Sequence, residues 1–157
     1  MIQRYLRALC LALPFFAAAF SVQAQTQLPP FNLVDTAGQQ WSSSDHAASP
    51  KLIMFWATWC PYCKKLFPVI ENLHKTYADQ GLEVLAISIR DDGDTAAYAR
   101  DNGLTMTILN EGDDLARSLG VKGTPTVMAV NANNEIVFAG VNPAPEVMEA
   151  AIAEALK

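Results

Sequence analysis

Lys51-Leu52-Ile53-Met54-Phe55-Trp56-Ala57-Thr58-Trp59-Cys60-Pro61-Tyr62-Cys63 changes character partway along. From Lys51 to Ala57 it is almost continuously apolar, without the alternation of a half-solvated strand, which predicts a strand buried on both faces of a sheet. From Pro61 onward the apolar residues recur at helical spacing, with Leu66, Val69, Ile70, Leu73 and Tyr77 on one side. Pro61 suits the first helical position, where a missing N–H costs nothing. Pro68 lies inside the helix and should kink it, because its ring excludes a bond to the carbonyl of Lys64. Gly81 ends the helix. The two cysteines therefore stand where a buried strand gives way to a helix.

That junction has a chemical consequence. Unpaired backbone N–H groups and the helix dipole stabilise negative charge at a helix N-terminus. A cysteine held there has its pKa lowered, and the thiolate is the form that attacks a disulfide. Cys63, one turn later, lies on the same side and within bonding reach of Cys60. Cys60 is thus the candidate nucleophile and Cys63 the candidate resolving thiol, joined as Cys60–Cys63 in the oxidised form. Pro61 and Tyr62 restrict the short loop and help set the balance between the two forms. Tyr62 either rims the site and touches substrate or is a passive exposed ring. Trp59, Trp56 and Phe55 read as core or site-wall residues.

Other uses of the pair stand beside this one. A structural disulfide rarely spans so tight a loop at a helix start. Zinc needs about four ligands, and only His46 and His74 could join the cysteines, neither at a convincing spacing. Haem attachment needs a histidine after the second cysteine, and Lys64 occupies that position. His46 and His74 otherwise read as ordinary surface residues. Asp91, Asp92 and Asp94 read as a solvated loop with a helix cap, with a cation site as the alternative.

The rest of the chain alternates strands and helices. Phe31–Val34 predicts a short strand, and the Ala37-Gly38 turn leading to Trp41 makes a small N-terminal hairpin. Ser42 to Asp45 could open a helical turn with serine as N-cap. Leu82–Ile89 predicts a second buried strand, Asp94 caps a helix through Asp101, and Leu104–Leu109 follows as a strand. Gly112–Leu119 predicts a short helix. Thr126–Val130 and Glu135–Gly140 predict strands joined by a turn at Asn131–Asn134, and Pro145–Leu156 predicts a closing helix. This is an α/β pattern with helices on both faces of a sheet. Gly123-Thr124-Pro125-Thr126 precedes one of these strands and, taken alone, is no more than the start of a strand.

Taken together, Trp56-Ala57-Thr58-Trp59-Cys60-Pro61-Tyr62-Cys63, Pro68 and Gly123-Thr124-Pro125 resemble thioredoxin-like proteins, most closely the exported TlpA/ResA-like disulfide oxidoreductases. The resemblance spans about Leu28 to Lys157. It implies a thioredoxin-like fold, a central mixed sheet flanked by helices, with the N-terminal hairpin and an inserted helix–strand unit between Asp94 and Leu109. It implies a cis bond between Thr124 and Pro125, with this segment shaping the groove for an extended substrate. No cofactor is expected. The departures are informative. Met54 stands where thioredoxins carry a buried aspartate, Ala86 near the position of its partner lysine, and Leu66 where many relatives have a glutamate. The usual buried proton acceptor is missing from all of these places, so water or substrate is expected to relay the proton of Cys63.

Bulk properties agree with export. The 157 residues are 51% hydrophobic, enough for one compact domain with a short appendage. Arg4 and Arg7, an apolar run from Leu9 to Phe20 interrupted at Pro14, and Val22-Gln23-Ala24 read as a signal peptide over residues 1–24. The run is shorter than the roughly 20 residues of a membrane span, although an uncleaved anchor is the alternative. Residues 25–30 then form a polar linker and 31–157 the domain. Removing the leader removes Cys10 and reduces three cysteines to the Cys60–Cys63 pair, which suits an oxidising compartment such as the periplasm. The net charge of −5, with no basic stripe, argues against nucleic acid as a partner.

The expected function is disulfide reduction in exported proteins by way of a mixed disulfide, with thiols and disulfides of those proteins as substrates and a membrane or soluble dithiol as electron donor. A membrane contact is expected only if the leader stays attached. Net oxidation or isomerisation is the alternative within the same chemistry. A thiol peroxidase and a non-catalytic metal-delivery module are the alternatives outside it. Thr58 lies near the cysteine as a peroxidase would need, but no proline sits at suitable spacing.

Overall fold

A computed structural model describes residues 26–157, so the expected signal peptide and Cys10 lie outside the described residues. The elements are β1 (Asn32–Asp35), β2 (Gln40–Ser42), β3 (Lys51–Trp56), α1 (Pro61–Tyr77), β4 (Glu83–Ser88), α2 (Thr95–Asp101), β5 (Thr107–Asn110), α3 (Asp113–Ser118), β6 (Thr126–Val130), β7 (Ile136–Val141) and α4 (Pro145–Ala155). The described strands form one mixed sheet in the order β2-β1-β5-β4-β3-β6-β7. Strands β3, β4 and β5 are parallel, joined in turn through α1 and α2, and β6, reached through α3, returns antiparallel on the other side of β3. The hairpin β1–β2 joins the sheet through the inserted strand, β1 pairing antiparallel with β5.

The unbroken hydrophobicity of β3 has its explanation in this topology. Leu52, Met54 and Trp56 face one core, which α1 and α4 cover with Ile70, Leu73, Met148 and Ile152. Ile53 and Phe55 face the other, covered by Leu115 and Ala116 of α3 and by Phe31 and Leu33 of the N-terminal segment. A strand buried on both faces has no solvent side on which to place polar residues. Lys51 begins it with its side chain fully buried, and its ammonium donates to the carbonyls of His46 (2.5 Å) and Ser49 (2.7 Å). Burial lowers its pKa, against the opposing pull of Glu83.

Several expectations shift in detail. Helix α1 continues past Pro68 to Tyr77, and a 3-10 turn over Ala78–Gln80 follows before Gly81, at φ +83°, reverses the chain. Strand β5 begins at Thr107, later than Leu104, because Leu104 still closes the end of α2 by donating to Ala99 O. The turn after β2 is a 3-10 turn over Ser43–His46, and Ser42 does not cap it; Ser43 Oγ instead accepts from the Phe31 N–H at 2.8 Å. Over its described residues the connector lies against the domain. Gln27 bridges to Glu135, and Leu28 is buried with its N–H on Asn134 O.

One carboxylate ties the inserted unit to the principal helix. Glu71 of α1 is buried, and its two oxygens accept the N–H (2.9 Å) and hydroxyl (2.6 Å) of Thr105 just before β5. Burial alone would raise its pKa. The Thr105 bonds, and then Lys75 one turn along, outweigh that and hold it at about 2. Its folded pKa is depressed, so its contribution is present above about 4.5 and is lost as pH falls through about 2. Acid titration should therefore show a loss on the order of 3 kcal/mol across this window, and Glu71→Gln should flatten that slope in denaturant melts between pH 6 and 2.

Candidate active site

Cys60 is the N-cap of α1, in extended conformation (φ −81°, ψ 110°), with Pro61 as the first helical residue. Its sulfur accepts the N–H of Cys63 at 3.2 Å, which satisfies one of the amides that every helix leaves unpaired at this end. Cys60 and Cys63 form a disulfide, with their Cα atoms 5.3 Å apart. Cys60 is 2% exposed and Cys63 fully buried. In the dithiol form the same amide and the helix N-terminus stabilise negative charge on Cys60 in preference to Cys63.

The chain arrives at Cys60 through a turn, Cys60 N–H donating to Ala57 O at 3.1 Å. Thr58 and Trp59 are the central residues of that turn. Trp59 is not a core residue: it is 57% exposed, its indole N–H donating to Arg90 O at 2.9 Å. Tyr62 is equally exposed, at 59%. Trp56 and Phe55 are fully buried, as expected of core residues, and Trp56 packs edge-on against Phe67.

The Thr124–Pro125 peptide bond is cis, as the resemblance implied. Register brings it to the site: Thr126 pairs with Phe55, which puts Pro125 level with Trp56 at the end of β3 from which the cysteine turn departs. Pro125 O accepts from Asn142 N, and Thr126 Oγ1 donates to Gly123 O. The backbone groups of Thr124 make no hydrogen bond among the described residues. Val141, 70% exposed, pairs with Thr126 and so lies at the same end of the sheet. Exposed apolar side chains thus gather around the cysteines and the cis proline.

Beneath the cysteines the surroundings are apolar. Met54 and Ala86 are cross-strand neighbours with no exposure, and Leu66 is buried in the same cluster as both cysteines. The buried carboxylate of α1, Glu71, lies eight residues beyond Cys63, about 12 Å along the helix axis, and is committed to Thr105. His46 stacks on Trp41 and contacts Glu83 at 2.7 Å, while His74 is half-buried on α1. Among the described residues no group of three or more His, Cys, Asp or Glu is arranged to hold a metal ion.

Asp94 caps α2, accepting from Ala97 N at 2.8 Å, as the sequence predicts. Asp91 does something the sequence did not disclose. Its carboxylate accepts both the N–H and the hydroxyl of Thr58, 33 residues earlier. No local pattern marks such a contact, because it exists only once β4 lies beside β3.

Comparison with known proteins agrees with the geometry. The family model described as the AhpC/TSA family matches residues 24–139. The chain is 28% identical over 124 residues to the thiol-disulfide oxidoreductase ResA of Geobacillus kaustophilus, covering 78% of this chain and 71% of that one. It is 30% identical over 119 residues to the thioredoxin-like protein YneN of Bacillus subtilis, covering 73% and 69%. A putative thiol:disulfide interchange protein DsbE from Chlorobium tepidum superposes with a TM-score of 0.77 at 26% identity, covering 85% of this chain and 97% of that one. The fold is thioredoxin-like.

The asymmetry between the cysteines is measurable. In the reduced protein, iodoacetamide should modify Cys60 at least about tenfold faster than Cys63 near neutral pH, because one thiol faces the helix N-terminus and the other is enclosed. Residue-resolved mass spectrometry reads the ratio.

Proposed function

The chain belongs to the AhpC/TSA family and is a thiol–disulfide oxidoreductase, and on that premise we propose that it reduces disulfides of exported proteins through a mixed disulfide on Cys60. The observation that carries this reading is the Cys60 sulfur at the mouth of α1, bridged to Cys63 and accepting its amide.

In the reducing direction the Cys60 thiolate attacks one sulfur of a substrate disulfide. The Cys60–substrate bond forms, the substrate S–S bond breaks, and the first substrate sulfur leaves as a thiolate. Cys63 then loses its proton and attacks the Cys60 sulfur, expelling the second substrate thiolate. Two electrons have passed to the substrate, and the Cys60–Cys63 disulfide remains. A dithiol donor, membrane-bound or soluble, returns the pair to its reduced form. Reduction as the net direction follows the TlpA/ResA resemblance.

Pro125 shapes the groove, and the backbone of Thr124, without a hydrogen bond among the described residues, offers an extended substrate segment hydrogen bonds of the strand-addition type. Trp59 and Tyr62, exposed beside the cysteines, supply apolar rim. With Met54, Ala86 and Leu66 beneath the pair, water or the departing substrate thiolate takes the proton of Cys63. Resolution then accelerates as pH rises from neutral to mildly alkaline. Export with removal of residues 1–24 completes the reading, and places the work in the periplasm, where the two remaining cysteines meet oxidised substrates.

Trapping tests it. With Cys63→Ser the protein should accumulate exported proteins covalently attached to Cys60 and release them on reduction, while Cys60→Ser should capture none and reduce insulin only at the background rate. Consumption of hydrogen peroxide in place of insulin disulfides would overturn the reading in favour of a thiol peroxidase. Tight zinc or copper binding by the reduced pair, without insulin reduction, would favour metal delivery.

A further inference from the structure

The turn that delivers Cys60 is held from outside its own segment. Asp91, in the loop between β4 and α2, accepts the Thr58 N–H on Oδ2 at 2.6 Å and the Thr58 hydroxyl on Oδ1 at 2.5 Å. The same Oδ1 accepts Gly93 N–H at 3.1 Å, which closes the loop around the carboxylate. Gly93 fits because it has no side chain: a Cβ there would lie 2.1 Å from Thr58 Oγ1 and 2.9 Å from Thr58 Cβ. The neighbouring turn residue is tied to the same loop, Trp59 Nε1 donating to Arg90 O at 2.9 Å. The loop is itself braced from α3. Arg90 holds a left-handed conformation, φ +50°, while its N–H donates to Asp113 Oδ1 at 3.0 Å. Both central residues of the Ala57–Cys60 turn are therefore anchored to the lead-in of the inserted helix–strand unit.

We propose that Asp91 is a positioning residue for the nucleophile: by gripping Thr58 through backbone and side chain it fixes the turn that sets the Cys60 sulfur on the Cys63 amide. It touches neither cysteine in this role and acts through Thr58. The inference rests on Cys60 being the attacking thiol. Among the described residues the Cys60 sulfur accepts one amide, that of Cys63, at 3.2 Å, and hydrogen bonds weaken steeply as their geometry is lost. A turn free to shift thus withdraws the stabilisation of the thiolate without altering either cysteine.

Charge and geometry make opposite demands, which lets experiment separate them. Removing a nearby negative charge by itself favours a thiolate, whereas loosening the turn disfavours it. Asp91→Asn removes the charge and breaks the grip, since whichever way the amide turns its NH2 meets an N–H donor, of Thr58 or of Gly93. Thr58→Val keeps the charge and removes the hydroxyl. Gly93→Ala keeps every polar group and displaces Thr58 by contact. Thr58→Ser keeps both donors and is the conservative control.

The measurement is the pH dependence of Cys60 alkylation, read at that residue by mass spectrometry in the full chain carrying Cys63→Ala, with the melting temperature recorded alongside. Positioning predicts that Asp91→Asn, Thr58→Val and Gly93→Ala all raise the Cys60 pKa by about half a unit or more. Below that pKa the alkylation rate then falls about threefold, in step with the thiolate fraction. Thr58→Ser stays at the wild-type value. A lowered pKa in Asp91→Asn with no change in the other two would make Asp91 a through-space charge and overturn the proposal. Lowered melting temperatures with an unmoved Cys60 pKa would leave it a structural residue only, which also overturns it. The alkylation readout needs no protein substrate. A wild-type chain that fails to reduce insulin counts against the functional reading, while the Cys60 titration still decides the role of Asp91.

Discussion

A sulfur serving as the N-cap of a helix is the constraint around which this protein is arranged. Helix N-termini need an acceptor for their first amides, a role usually filled by a serine, threonine, aspartate or asparagine oxygen. Here the acceptor is Cys60 Sγ. A hydrogen bond that would ordinarily do no more than end a helix is therefore also placed to stabilise negative charge on this sulfur when the pair is reduced. That double duty requires the backbone to arrive at the helix from a fixed direction, and β3 supplies it. Flanked by β4 and β6 and covered on both faces, this strand has little freedom to move.

The same burial explains what lies under the site. A strand enclosed on both sides favours apolar residues, and Met54 and its neighbour Ala86 meet that demand without a charged group. A buried acid in this layer would need its own hydrogen-bond partners or would shift toward its neutral form. A buried carboxylate, Glu71, sits farther along α1, where Thr105 supplies two donors and the inserted unit gains an anchor. The layer beneath the sulfurs is packed with Met54, Ala86 and Leu66 and brings no carboxylate of the described residues to Cys63.

The additions to the thioredoxin core are joined to one another before they reach the site. The hairpin pairs with β5, β5 extends the parallel ladder from β4, and the loop following β4 holds the turn before Cys60. The inserted unit widens the sheet, and the loop that leads into it braces the turn before Cys60. On the other side of β3 the chain contributes the cis proline and the exposed Val141, so the site is assembled from both neighbours of a single strand.

Much of this was legible in one dimension. The switch from unbroken hydrophobicity to helical spacing at Cys60 is a local pattern, and strand, helix, N-terminal thiol and Cys-x-x-Cys chemistry all follow from it. The resemblance carried by Trp59-Cys60-Pro61-Tyr62-Cys63 and Gly123-Thr124-Pro125 extended that to the cis bond and the inserted unit. Tertiary structure alone decided how Trp59 is exposed, that Ser43 and not Ser42 holds the N-terminal segment, that Glu71 clasps Thr105, and that Asp91 reaches Thr58. Each of these depends on which side chains meet across strands or helices dozens of residues apart. Periodicity reports which face of an element is buried, but not which polar group on a neighbouring element will be there to satisfy it.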